Sequence, residues 1–233
     1  MSELKRSAPR RRKVEEPPSP GLAETGGGAV GVEERGPRAR MRRMLLARAM
    51  QMMADGVTPS VAELAEAAEV SRATAYRYFP THSSLISAVV DESLGPILGW
   101  RSSKPDVRER IDDLLCYAYP RLEQYEVQLR AAVQVSLQQS AQLRAGKAGT
   151  DAPFVRGHRI ELLSAAVEPL RPQLGENRFR RVLQALSLVY GTEVFLVLKD
   201  IWHLDAGEIC EVARWTAQAI LRQAQQDASQ DAG

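Results

Sequence analysis

Residues 60–85 read SVAELAEAAEVSRATAYRYFPTHSSL, and this stretch decides the fold. Ser60 followed by Glu63 is a capping box, in which hydroxyl and carboxylate each satisfy a free amide of a helix that opens at Ser60. Leu64, Ala65 and Ala68 turn inward, and the small side chains at 65 and 68 allow two helices to cross closely. Glu69-Val70 makes a tight turn, Ser71 caps a second short helix, and Ala75, Tyr78 and Phe79 return mainly to the core. Ser71, Arg72, Ala73, Thr74, Tyr76 and Arg77 remain for the outer side. Two short helices, a tight turn and a polar, cationic outer face are the layout of a DNA-reading helix-turn-helix.

The flanks extend the pattern. Upstream, Met41, Leu45, Ala49 and Met52 or Met53 recur at helical spacing between Arg40, Arg42, Arg43 and Arg48, which predicts a first helix over 38–54 closed by Gly56. Downstream, Pro80-Thr81 opens a fourth helix whose stripe Leu85, Ile86, Val89, Val90, Leu94 runs to Gly95-Pro96. Asp106 with Glu109 starts another helix, which Pro120 is expected to break or kink, and 122–143 continues as an amphipathic helix. A loop over 145–153 leads to a helix over 154–170 that Pro169 and Pro172 stop. Two long helices close the chain, over 176–202 and, after an Asp205/Glu208 capping box, over 206–225. No alternating apolar run and no Asn-Gly hairpin signal is present, so the fold class is all-α.

Bulk properties bound the function. The 233 residues suffice for one large or two small domains, and 44% apolar content suits a soluble globular chain. No apolar run reaches the ~18 residues of a membrane helix, and the start MSELKRSAPRRRK lacks a signal peptide's apolar stretch, so a cytoplasmic location is expected. Cys116 and Cys210 lie far apart and outside any CxxC spacing, which supports neither a disulfide framework nor a zinc module. Residues 1–48 hold 12 Lys/Arg against 6 Asp/Glu, leaving 19 against 23 for the rest, a basic end on a mildly acidic body. Residues 1–36, rich in Pro and Gly and poor in large apolar residues, are expected to form a disordered basic arm, and 227–233 a disordered tail. The GGG run at 26–28 has no strand before it and no GK[ST] after it, so it is not a phosphate loop.

The segment resembles the TetR (tetracycline-repressor) family of bacterial transcription regulators. The residues that carry the resemblance are Ser60, Leu64, Ala65 and Ala68, then Val70, Ser71, Thr74, Tyr76, Tyr78, Phe79, Pro80 and Leu85, after an arginine-rich helix ending in Gly56. They span about 55 residues; the remainder matches in architecture only. Three positions depart from the family pattern: Glu69 where the turn usually has Gly, Ala75 where a larger apolar residue is usual, and His82 where Lys is frequent.

The resemblance implies an N-terminal helix-turn-helix domain over 37–95 and a C-terminal effector-binding and dimerisation domain over 96–226. The second short helix then enters the major groove, with Arg72 for a guanine edge, Thr74 and Ala73 for a thymine methyl or base acceptor, and Tyr76, Arg77, Ser60, Thr81 and His82 for phosphates. One such helix reads few base pairs, so a homodimer is expected, with reading heads about 34 Å apart on a palindromic operator. Leu183, Leu186, Val194, Val197, Trp202, Trp215 and Ile220 supply the apolar surface for its interface. Trp100, Tyr117, Tyr119, Tyr125, Phe154, His158, Tyr190 and Glu193 are the candidates for a small-molecule effector pocket. No HExxH, GxSxG or P-loop occurs and the three histidines are scattered, so neither an enzyme nor a metal or other cofactor is expected. The reading is a ligand-responsive repressor released from its operator by an effector; the alternative is an architectural DNA-binding protein without one.

Overall fold

The N-terminal helices begin where their caps predict. A computed structural model describes residues 36–147 and 158–230. It contains α1 (Pro37–Ala54), α2 (Val61–Ala67), α3 (Arg72–Tyr78) and α4 (His82–Leu94), then, after a 3-10 turn (Gly95–Gly99), α5 (Val107–Gln124) and α6 (Glu126–Arg144). The chain continues through α7 (His158–Val167), α8 (Arg171–Leu186), α9 (Thr192–Leu198) and α10 (Ala206–Gln230). No strand occurs among the described residues, and the fold is all-α. The expectations for the disordered basic arm over 1–36, all but its last residue, for Phe154 and for most of the 145–153 loop lie outside those residues.

The caps are formed as read. The Ser60 hydroxyl accepts the Glu63 amide at 3.2 Å while the Ser60 amide donates to the Glu63 carboxylate at 2.7 Å. That backbone hydrogen bond is the main reason the Glu63 carboxyl is held below its usual range. Asp106 accepts the amides of Arg108 and Glu109 at the start of α5, and Asp205 and Glu208 close a second box before α10. Each such cap is worth about 1 kcal/mol.

Three expectations are corrected. Pro120 neither breaks nor visibly ends its helix: α5 runs through it to Gln124, and the chain turns at Tyr125 (φ −112°, ψ 23°). The carbonyl that Pro120 leaves without its helical donor belongs to Cys116, which lies on the exposed side of the helix. The long helix over 176–202 is in fact two helices with a break. The chain leaves α8 at Leu186, makes a 3-10 turn (Ser187–Val189), is extended at Tyr190 (φ −136°, ψ 125°) and restarts at Thr192. Gly191 between them has φ 112°, which side-chain-bearing residues rarely adopt, and the Tyr119 hydroxyl donates to the freed Val189 carbonyl at 2.9 Å. Finally, α10 reaches Gln230, past the predicted start of the tail, because Ala224 and Ala228 still pack on the core.

The buried core runs without interruption from Leu45 in α1 to Leu221 in α10, and Gly36–Gly233 is one compact unit. Both α1 and α4 pack on α6, and α10 packs on α5 and α8. Four polar clasps hold α1 and α4 to the rest. Gln128 donates to the Met50 carbonyl (3.2 Å) and Gln139 to the Ser83 hydroxyl (2.6 Å). Arg121 donates to the carbonyls of Glu92, Ser93 and Leu94, capping the C-terminal end of α4. His158 Nε2 meets Asp91 Oδ1 at 2.8 Å.

Candidate nucleic-acid interface and pocket

Glu69 between α2 and α3 adopts φ 54°, the left-handed conformation that the turn requires. The geometry is kept despite the missing glycine, at a cost of roughly 1–2 kcal/mol. It sets α3 across α2, with Ala75 fully buried beneath, Phe79 in the core and Tyr78 half-buried under the Arg77 guanidinium, 5.6 Å from the ring centre. Arg48 of α1 donates to the Ala67 carbonyl at 3.1 Å and so ties α1 to the end of α2.

The outer side of α3 presents Ser71, Arg72, Ala73, Tyr76 and Arg77, all exposed. Thr74 is half-buried, its amide capped by the Ser71 hydroxyl (3.1 Å) and its own hydroxyl paired with that group at 2.8 Å. Ser60 and Thr81 are also half-buried caps; each hydroxyl accepts an amide and keeps its proton to donate outward. His82 differs from its predicted place: its Nε2 is buried, so that atom does not reach a phosphate at the surface. At the position where Lys is frequent in the family, this chain thus has a partly buried ring.

At the other end of the fold the seven interface candidates separate. Leu186 and Val194 are buried in the chain's own core, so neither is free for a second chain. Leu183 and Ile220 are partly buried against that core. Val197, Trp202 (68% exposed) and Trp215 (70% exposed) face solvent with Val212, joined by Leu188 and Ile201, which the sequence reading left out. A groove between α9, α10 and the 3-10 turn lies in this face, lined by Leu188, Val197, Val212 and Thr216.

The break after α8 borders a half-open cavity of about 70 Å³. Val90 and Leu94 of α4, Leu122 of α5, Leu129, Ala132 and Val133 of α6, and Leu162 of α7 form its apolar wall. His158, Arg159, Tyr190, Thr192 and Glu193 supply its polar groups. The Tyr190 hydroxyl is buried with no hydrogen-bond partner among the described residues, and burial raises its pKa. Arg159 and Glu193 form an ion pair that borders both this pocket and the groove on the apolar face. Hydrogen bonding to Asp91 raises the His158 pKa.

Of the aromatic and polar candidates from sequence, His158, Tyr190 and Glu193 therefore meet in one pocket. Trp100 is buried elsewhere, donating to Asp113 at 3.2 Å; Tyr119 is buried against Phe195; Tyr125 stacks under Arg121 and Tyr117 is exposed on α5. Arg159 and the aliphatic wall were missed, since nothing in their spacing distinguishes a pocket wall from ordinary core. The glycine at 191 was the available signal. Among the described residues no three His, Cys, Asp or Glu side chains are placed to hold a metal ion, and no single helix is long and apolar enough to cross a membrane.

Comparison with known proteins agrees with the head's geometry. The family model described as "Bacterial regulatory proteins, tetR family" matches residues 45–89, from the middle of α1 into α4. The HTH-type transcriptional repressor LfrR of Mycolicibacterium smegmatis is 41% identical over 56 residues, 24% of this chain and 30% of that protein, so the likeness spans less than a third of the relative. No solved structure matches the chain significantly. The likeness is confined to this segment: the helix-turn-helix of the chain is similar to that of the TetR family of bacterial regulatory proteins.

Proposed function

We propose that this protein is a ligand-responsive transcriptional repressor of the cytoplasm, not an enzyme, that binds a palindromic operator as a homodimer and leaves it when a small molecule fills the pocket. In this reading residues 37–95 form the DNA-binding domain and 96–226 the effector and dimerisation domain. Arg72 donates two hydrogen bonds to a guanine edge, Ala73 and Thr74 meet neighbouring bases, and Tyr76, Arg77, Ser60 and Thr81 hold phosphates. The exposed apolar face of α9 and α10 meets its copy in the partner subunit, which sets the spacing of the two heads.

The observation that carries the ligand response is the Tyr190 hydroxyl, buried without a partner in an apolar pocket that α4 itself helps to line. An unsatisfied buried hydroxyl costs roughly 1–3 kcal/mol, which a bound acceptor or donor recovers. The effector is therefore a lipophilic molecule with a hydrogen-bonding group. Because Val90 and Leu94 belong to α4, such a molecule pushes directly on the helix that leads to the reading head.

A thermal-shift screen of lipophilic compounds and acyl thioesters tests this, since a bound effector raises the melting temperature with its occupancy. A hit should also release the protein from DNA. The Tyr190→Phe variant should melt at the same temperature as the parent or higher, and should bind the hit at least several-fold more weakly. A hit that Tyr190→Phe binds unchanged would place the effector elsewhere.

A further inference from the structure

We propose that Cys116 and Cys210, the chain's two cysteines, are a redox site that a hydroperoxide converts to an intrachain disulfide joining α5 to α10. The helices α5 and α10 pack side by side in an antiparallel register that the hydrogen bonds fix. Gln218 Nε2 donates to the Arg108 carbonyl at 3.0 Å. Four residues further along α5 and four back along α10, Arg214 grips Asp112 through two hydrogen bonds of 2.6 and 2.5 Å. The next rung of the same ladder is Cys116 opposite Cys210. Cys116 lies close enough there to act on the Cys210 thiol.

Their surroundings divide the work. Cys116 is exposed and open to an oxidant from solution, while Cys210 is half-buried beside it. Burial raises the Cys210 thiol above its ordinary range, with Cys116 and Asp112 adding to the effect and the nearby Arg214 guanidinium opposing it. The Cys116 thiolate attacks the hydroperoxide, breaking the O–O bond to give a sulfenic acid and hydroxide. Cys210 then attacks that sulfur, forming the S–S bond and expelling the sulfenic oxygen as water. With hydrogen peroxide the balance is two thiols and one peroxide to one disulfide and two waters. Nothing in the 94-residue separation of the two cysteines suggests this; the helix register supplies it.

The bond would cross-link the helix that carries the Trp215 face to the helix whose Arg121 caps α4. The site itself is independent of what the protein regulates, and its test needs no DNA. The full-length, folded protein is treated with one to a few equivalents of hydrogen peroxide, quenched with maleimide and analysed by non-reducing peptide mass mapping. The account expects both thiols to become unreactive together, a loss of two hydrogens in mass, a Cys116–Cys210 linked peptide within single chains, and full reversal by dithiothreitol. Cys210→Ala should stop at a dimedone-reactive sulfenic acid on Cys116, and Cys116→Ala should leave Cys210 maleimide-reactive at the same dose. Thiols that both stay reactive, cross-links only between chains, or sulfinic acid without a linked peptide would each overturn the proposal.

Discussion

At Glu69 a single side chain carries a conformational cost that the turn of the reading head imposes. Its amide donates to the Glu66 carbonyl (3.1 Å), and the left-handed φ of 54° that follows turns the chain so that the Val70 amide donates to the Ala65 carbonyl (3.0 Å). The exposed carboxylate makes no hydrogen bond or ion pair among the described residues that offsets this, so Glu69→Gly should stabilise the protein by about 0.5–1 kcal/mol. Urea unfolding at fixed protein concentration measures it, with an unchanged m-value; a destabilised variant would mean that the carboxylate itself supports the fold. His82 shows the opposite case, where a residue chosen from sequence as a surface contact has turned one ring nitrogen inward. Its sequence position at the start of α4 was legible, but the direction of its ring was not.

At the scale of elements, local chemistry was readable and distant chemistry was not. Ser60 with Glu63, Asp106, and Asp205 with Glu208 announce helix starts because cap and partner lie within four residues. The break at Tyr190-Gly191 left no such mark: Leu186, Tyr190, Val194 and Val197 keep a helical period across it, and the partner that accepts the interruption, Tyr119, is 70 residues away from Val189. Pocket, apolar face and thiol pair all depend on contacts of that range, which is why the aromatic candidates scattered and Arg159 was missed.

The clasp between α4 and α7 gives a prediction of its own. Asp91 raises the folded-state pKa of His158 above its ordinary value of 6.5, with Glu161 contributing and burial opposing. A raised imidazole pKa adds stability that is complete below pH ~6.5 and is lost as pH rises through the higher folded value. Both side chains are more than a third exposed, so the gain is at most about 1 kcal/mol. The melting-temperature difference between parent and His158→Gln should therefore be largest near pH ~6 and fade by pH ~9. A difference that grows with pH would contradict the clasp.

On the scale of the whole molecule, the apolar groups of α9, α10 and the turn before them form a face that a water-exposed monomer leaves uncovered. Trp202, Ile201 and Leu188 are each more than two-thirds exposed, and Trp215 stands beside them in the sequence of exposed positions on α10. Because Trp215 contributes little to its own chain's core, Trp215→Glu should leave folding nearly unchanged and should halve the particle mass seen by light scattering. The same variant should lose at least about tenfold in affinity for a two-half-site DNA, since each head alone reads few base pairs. A variant that remains dimeric would put the interface elsewhere.

In the proposed function the outer side of α3 reads base sequence, and competition binding is the sharpest test of that role. Labelled DNA from upstream of the protein's own gene is displaced by unlabelled copies of itself or by random duplex of equal length, at about 150 mM salt, where phosphate attraction alone is weak. The account predicts a preference of at least about a thousandfold for the upstream DNA. It further predicts that Arg72→Ala relaxes specificity at one base position while affinity for random DNA stays close to that of the parent. Equal binding of the two duplexes would contradict it.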